Sequence, residues 1–145
     1  MRTVATIAAL ILIGCASAPA PHDPTQANAY RQNVQELVSM NRQANDFFRA
    51  GNGDAAAAVI EKAQPTMKQL LSVSKPSLEA VEAASDLDDL YGRMLLSNRH
   101  YAWAQMLFQK NLSRWKHWEP QTEETARRFK QAQDEIAECS RRMEQ

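Results

Sequence analysis

The segment YAWAQMLFQKNLSRWKHW, residues 101–118, decides how this chain folds. Tyr101, Ala104, Phe108, Asn111, Trp115 and Trp118 recur at steps of three and four, which places them on one stripe of a helix. Glu119-Pro120 ends the run, because proline removes a backbone donor and blocks the preceding turn. Beside the stripe lie His100, Trp103, Lys110, Arg114 and His117, with Leu107 among them. One helix therefore carries an apolar side for packing and a basic, aromatic edge.

The same period extends in both directions. Downstream, Phe129, Ala132, Ile136, Cys139 and Met143 form a narrow seam in a last helix, opened by Pro120 with Glu123 and Glu124. Upstream, Leu87, Leu90, Tyr91, Met94 and Leu95 mark a third helix, with Pro76 in its first turn, Glu79 and Glu82 near its positive end and a break at Ser97-Asn98-Arg99. Ala56, Ile60, Ala63, Met67 and Leu70 keep phase across Pro65, which predicts one kinked second helix. The first helix carries Tyr30, Val34, Leu37, Asn41, Ala44 and Phe48 and stops at Gly51-Asn52-Gly53-Asp54, where Gly51 suits a left-handed terminus and Asp54 caps the next helix. The prediction is an all-α domain over residues 28–145, with about five antiparallel helices in hairpins and no competing strand signal. Only four glycines in 145 residues agree with that reading.

Gly92, Leu95, Tyr101, Ala104 and Phe108 fit the steps of a tetratricopeptide repeat, and Ala44, Phe47, Gly51, Ala56, Ile60 and Ala63 fit a second copy. The domain thus resembles that repeat family, which implies stacked helical hairpins with a groove for partner segments. The copies are offset by 48 positions, from Ala44 to Gly92, where the family period is 34. Asn111 stands where the family has a second alanine, and Pro120 falls later than the family's terminal proline. A generic helical bundle, which also needs small residues where helices cross, fits the same pattern.

Seventeen basic and seventeen acidic residues cancel, so no global field favours nucleic acid. Locally the charges separate. Glu79, Glu82, Asp86, Asp88 and Asp89 precede Leu90, and Arg93, Arg99, Lys110, Arg114 and Lys116 follow it. The edge formed by His100, Trp103, Lys110, Arg114 and His117 reads in two ways: as a binding face for an anionic group with Trp103 as a stacking surface, or as a face paired with the acidic third helix.

At the start of the chain, Met1-Arg2 and the apolar run from Val4 to Ile13 form a charged and then a hydrophobic region, too short for a bilayer-spanning helix. The small-residue sites Ala16-Ser17-Ala18 and Ala18-Pro19-Ala20 would each leave a proline as the new first residue, which disfavours them. Leu12-Ile13-Gly14-Cys15 resembles the lipobox of bacterial lipoproteins. The resemblance implies a signal peptide over residues 1–14 and acyl chains on Cys15, enough for stable anchoring when two or three are attached. Ala16 after the cysteine implies the outer membrane, on its periplasmic side. Residues 15–27, with Pro19, Pro21 and Pro24, are expected to form a disordered tether.

Catalytic patterns are missing. No Gly-x-Ser-x-Gly, phosphate loop or Cys-x-x-Cys-His occurs. His22 has no second ligand near it, while His100 and His117 stand seventeen positions apart, about 25 Å along a helix, so no metal and no cofactor is expected. Asp88-Asp89 and Glu123-Glu124 point to different helix faces and read as solvated charge. Cys139, on the last seam, reads as a small core residue, or, if exposed, as the link of a homodimer. The expectation is a non-enzymatic envelope module that binds a protein partner; the alternative is a small-ligand or cofactor-binding bundle.

Overall fold

The computed structural model describes residues 23–145. Cys15, the signal peptide and most of the tether, including His22, lie outside the described residues. The last residues of the expected tether form a 3-10 turn, Pro24–Gln26, which Asp23 caps by accepting from the Thr25 amide at 2.9 Å. Five helices follow: α1 Asn28–Arg49, α2 Gly53–Leu71, α3 Leu78–Ser97, α4 Tyr101–Lys116 and α5 Glu123–Met143. The protein is an all-α bundle of antiparallel helical hairpins, with α1 packed on α2 and α3, α3 on α4, and α4 on α5.

α3 is the central element. Ala80, Val81, Ala83, Ala84, Leu87, Leu90 and Met94 are buried along it, so it packs on nearly all sides. The alanines of its first half let neighbouring helices approach closely, and they form a core with Leu37, Ala44, Ile60, Ala63 and Leu70 of α1 and α2. Pro65 lies inside α2 without ending it. Tyr30 ties this unit together: its buried hydroxyl donates to the Leu70 carbonyl and accepts from the Ser77 amide, each at 3.2 Å. A single side chain near the start of α1 thereby satisfies backbone groups at both ends of the α2–α3 connection.

The helix ends differ in detail from the sequence expectation. Asn52, not Asp54, caps α2 by accepting from the Ala55 amide at 3.1 Å. Ser77 caps α3, so Pro76 lies before the helix instead of in its first turn. Thr122 and Thr125 cap α5 reciprocally, and α4 ends at Lys116, which leaves His117 and Trp118 beyond it. At the starts of α2, α3 and α5 a side-chain oxygen, of Asn52, Ser77 and Thr122 in turn, reaches a free amide.

α1 and α3 end in the same way. Gly51, at φ 78°, closes α1, with Asn52 N–H bonded to Phe47 O and Gly51 N–H to Phe48 O. Arg99, at φ 63°, closes α3, with His100 N–H bonded to Leu95 O and Arg99 N–H to Leu96 O. The motif is the same, but a side chain in the left-handed region is strained where glycine is not. α3 and α4 then cross at Gly92, where a methyl group would lie 2.5 Å from Cε1 of buried Phe108.

Two substitutions test these ends and crossings. Gly92→Ala is expected to lower the unfolding free energy by about 2 kcal/mol, the scale of core overpacking, and Phe108→Leu in the same chain to recover part of the loss; denaturant melts read both. Arg99→Gly, in the same assay, is expected to raise stability by about 1 kcal/mol, because the backbone strain is removed.

Candidate functional site

The five residues of the predicted basic, aromatic edge do not act as one face. Lys110 and Arg114 turn onto α3, where Lys110 Nζ meets Asp88 Oδ2 at 2.8 Å and Arg114 Nη1 meets it at 2.6 Å. His117 bonds the Ser113 carbonyl at the far end of α4. Only His100 and Trp103 stay together at an open surface. The reading in which this edge pairs with the acidic third helix holds for Lys110 and Arg114.

Asp88 corrects the solvated-charge reading of Asp88-Asp89, since it is 2 % exposed. A buried carboxylate needs charge and hydrogen bonds close by, and α4 supplies both. Arg114, with its side chain 13 % exposed, also donates to Asn111 Oδ1 at 2.6 Å. Asn111 Nδ2 in turn donates to the Ser85 carbonyl at 3.0 Å, and Trp115 Nε1 donates to Ser85 Oγ at 2.9 Å. Ser85, Asn111 and Trp115 were not singled out as polar partners in the sequence. An asparagine in the middle of an apolar stripe was the signal, since such a residue needs partners once buried.

The same seam continues to α5. Arg128 lies over the Trp115 ring, 5.4 Å from its centroid, and bonds Asp86 at 2.6 Å and Glu124 at 2.7 Å. Gln131 Nε2 donates to Asp89 Oδ1 at 3.2 Å and to Glu135 Oε1 at 3.1 Å. Burial first, and then the hydrogen-bonded Asp89 carboxyl, push the Glu135 carboxyl up to about 8, so it holds a proton at neutral pH. The space enclosed here, beside Trp115 and Ala132, is about 50 Å³. It suits a water molecule or two and is far below a ligand cavity of several hundred Å³.

Cys139 is fully buried beside Ala104, Phe108 and Ile136. Burial, and then Glu135 and Glu138, push its thiol upward, so it is a packed core group and not a link presented to a second copy. Among the described residues, no group of His, Cys, Asp and Glu is placed to hold a metal ion, and no helix is long and apolar enough to cross a membrane.

The open surface lies at the other end of the α3–α4 hairpin. Trp103, 63 % exposed, and Met106, 58 % exposed, stand with Tyr91, Leu95, His100 and Leu107 around a groove of about 560 Å³. A second hollow of about 570 Å³ shares Tyr91, Leu95 and His100 with it and extends to Phe48 and the α1–α2 turn at Gly51-Asn52-Gly53. Large exposed apolar side chains gathered at one place are the surface feature that marks a docking site on a soluble domain. Met106 was not among the sequence candidates, because methionine at helical spacing reads equally as core filler.

The polar seam is the part whose energetics can be read directly. Arg114→Ala strands Asp88 with only half-exposed Lys110 beside it, and is expected to lower the unfolding free energy by about 3 kcal/mol. Lys110→Ala is expected to lower it by less than about 1 kcal/mol, because its side chain is 47 % exposed and screened by water. Equal losses from the two in denaturant melts would mean that Asp88 is not the buried charge of this interface.

Comparison with protein-family models, with curated proteins and with solved structures finds no match to this chain.

Proposed function

We propose that this chain is a lipid-anchored envelope protein whose helical domain is a non-enzymatic interaction module for a protein partner. The observation that supports this reading is the pair of hollows that share Tyr91, Leu95 and His100, one lined by Trp103 and Met106 and the other extending to Phe48. The Trp103–Met106 hollow is lined by aromatic and aliphatic side chains, the composition that characterises the centre of protein interfaces, while the Phe48 hollow adds Asn52, Asp54 and Asn98, and the fitting occupant is a partner segment with an apolar side. A tetratricopeptide-like arrangement of the hairpins belongs to the same proposal, and the contact of Gly92 with Phe108 supports it.

The anchor rests on the sequence. Acyl chains on Cys15 would hold the protein on the periplasmic side, at the outer membrane if Ala16 directs sorting. The chain reaches α1 at Asn28, and α1 rises about 33 Å before the turn that borders the groove. The groove thus borders the end of α1 far from Asn28, and a tether leading from Cys15 to Asn28 would leave the groove free to meet a partner.

A photoreactive residue at Leu107 tests the groove in the acylated chain within a bacterial envelope, with Lys130 on the outer side of α5 as reference. We expect a discrete crosslinked product from Leu107 that is absent from Lys130 and at least tenfold weaker in the Trp103→Glu, Met106→Lys variant, whose thermal melt is unchanged. A product that survives that variant removes the groove as the docking surface. Cys15→Ser, in the same cells, is expected to move the protein from the membrane to the soluble fraction.

A further inference from the structure

α5 is the least buried of the longer helices. Only Thr125, Ala132 and Cys139 are fully covered along its 21 residues, and Phe129 and Ile136 are half-covered. A helix that buries few apolar side chains depends more on its polar contacts, and elements of that kind are the ones that open locally. What it covers is apolar: Ala104 and Phe108 of α4 lie beneath Cys139 and Ile136.

Beside this apolar contact with α4 stands a polar one with α3. Gln131 Nε2 of α5 donates to Asp89 Oδ1 of α3 at 3.2 Å and to Glu135 Oε1 of its own helix at 3.1 Å, so one amide group gathers the two carboxyls across the interface. Two carboxyl groups gathered on one amide repel each other when both are ionised, and a proton on one of them removes that repulsion. Arg93 of α3 is at 2.9 Å from Asp89 Oδ2 and offsets one negative charge, not two. α4 contributes the neutral Asn111 and Trp115 to the enclosed space, and α5's own Arg128 is already bonded to Asp86 and Glu124. Glu138, one turn along α5, pairs outward with Arg141 and Arg142, while Arg127 bonds Glu124.

We propose that the Asp89–Glu135 pair makes the docking of α5 on the α3–α4 hairpin proton-linked, so that α5 is a latch held tightest in acid and loosened as the pH rises to mildly alkaline. The sign follows from the two states. With α5 docked, Glu135 keeps its proton up to about pH 8; with α5 released and hydrated, it loses the proton near 4.5. Docking therefore takes up a proton between these values, and is strongest below about 4.5 and weakens as pH rises to about 8, above which it stays constant. Release uncovers Cys139, Phe108 and Ala104 together. No covalent step is involved.

Cys139 reports the latch. Its alkylation rate by iodoacetamide is measured in the full chain at pH 5.5 and 8.5, and divided by the rate for the chain unfolded in guanidinium at the same pH, which removes the effect of thiolate formation. Peptide mass spectrometry distinguishes Cys139 from Cys15. Each unit between the docked and released values of Glu135 is a factor of ten, so protection is expected to fall at least tenfold across that interval. In Glu135→Gln, whose amide donates to Asp89 at every pH, protection is expected to stay within twofold. The proposal is overturned if wild-type protection is the same at both pH values, or if Glu135→Gln loses it to the same extent. It is also overturned if protection equals that given by global unfolding in parallel denaturant melts, since α5 would then not open by itself. The wild-type measurement decides the matter even if the variant folds poorly.

Discussion

Asp88 is a carboxylate enclosed in the middle of the central helix, and the desolvation of that charge constrains everything built on α3. Such a group is tolerated when its partners are close and fixed, and Lys110 and Arg114 meet that demand from one side of α4 while Asn111 and Trp115 engage Ser85 one turn away. Sliding α4 along α3 by a turn would separate both sets at once. Apolar packing tolerates several registers of two helices; the polar seam admits one. The crossing at Gly92 and Phe108 follows from that register, and so does the position of Phe108 and Ala104 under α5.

Much of this was readable from residue spacing. The stripes Tyr30 to Phe48, Ala56 to Leu70 and Tyr101 to Trp115 became buried faces, because a three-four period over several turns has few other uses. The first half of α3 was harder. Ala80, Ala83 and Ala84 are weakly apolar, and their burial comes from helices crowding on several sides, which no single-helix pattern reveals. Helix ends slipped by one or two residues where several oxygens could have served, as with Asn52 and Asp54.

The candidate site was legible only in part. Spacing placed His100, Trp103, Lys110, Arg114 and His117 along one edge of α4; Trp103, Lys110 and Arg114 lie within the helix, and His100 and His117 flank its two ends. It gave no information on what stands opposite. Half of the edge faces α3, whose Asp88 captures its cations, and the other half runs past the end of that contact and stays open around Trp103. The division between a structural ion pair and a free surface is therefore set by the relative placement of two helices, a property of the fold and not of either helix alone. Met106 and Tyr91 join the open half for the same reason.

The Tyr30 hydroxyl has a mechanical consequence. Tension applied to the chain ahead of Asn28 would run along α1 and load its contacts with α2 and α3 in shear, and the bonds from Tyr30 to Leu70 and Ser77 stand first in that line. Load shared between two backbone groups on a connection is passed into two helices together, without peeling one from the other. The groove lies at the opposite end of α1, beyond Val34, Leu37 and Ala44, so a pull on the chain ahead of Asn28 would be spent in the packed core before it reached the groove.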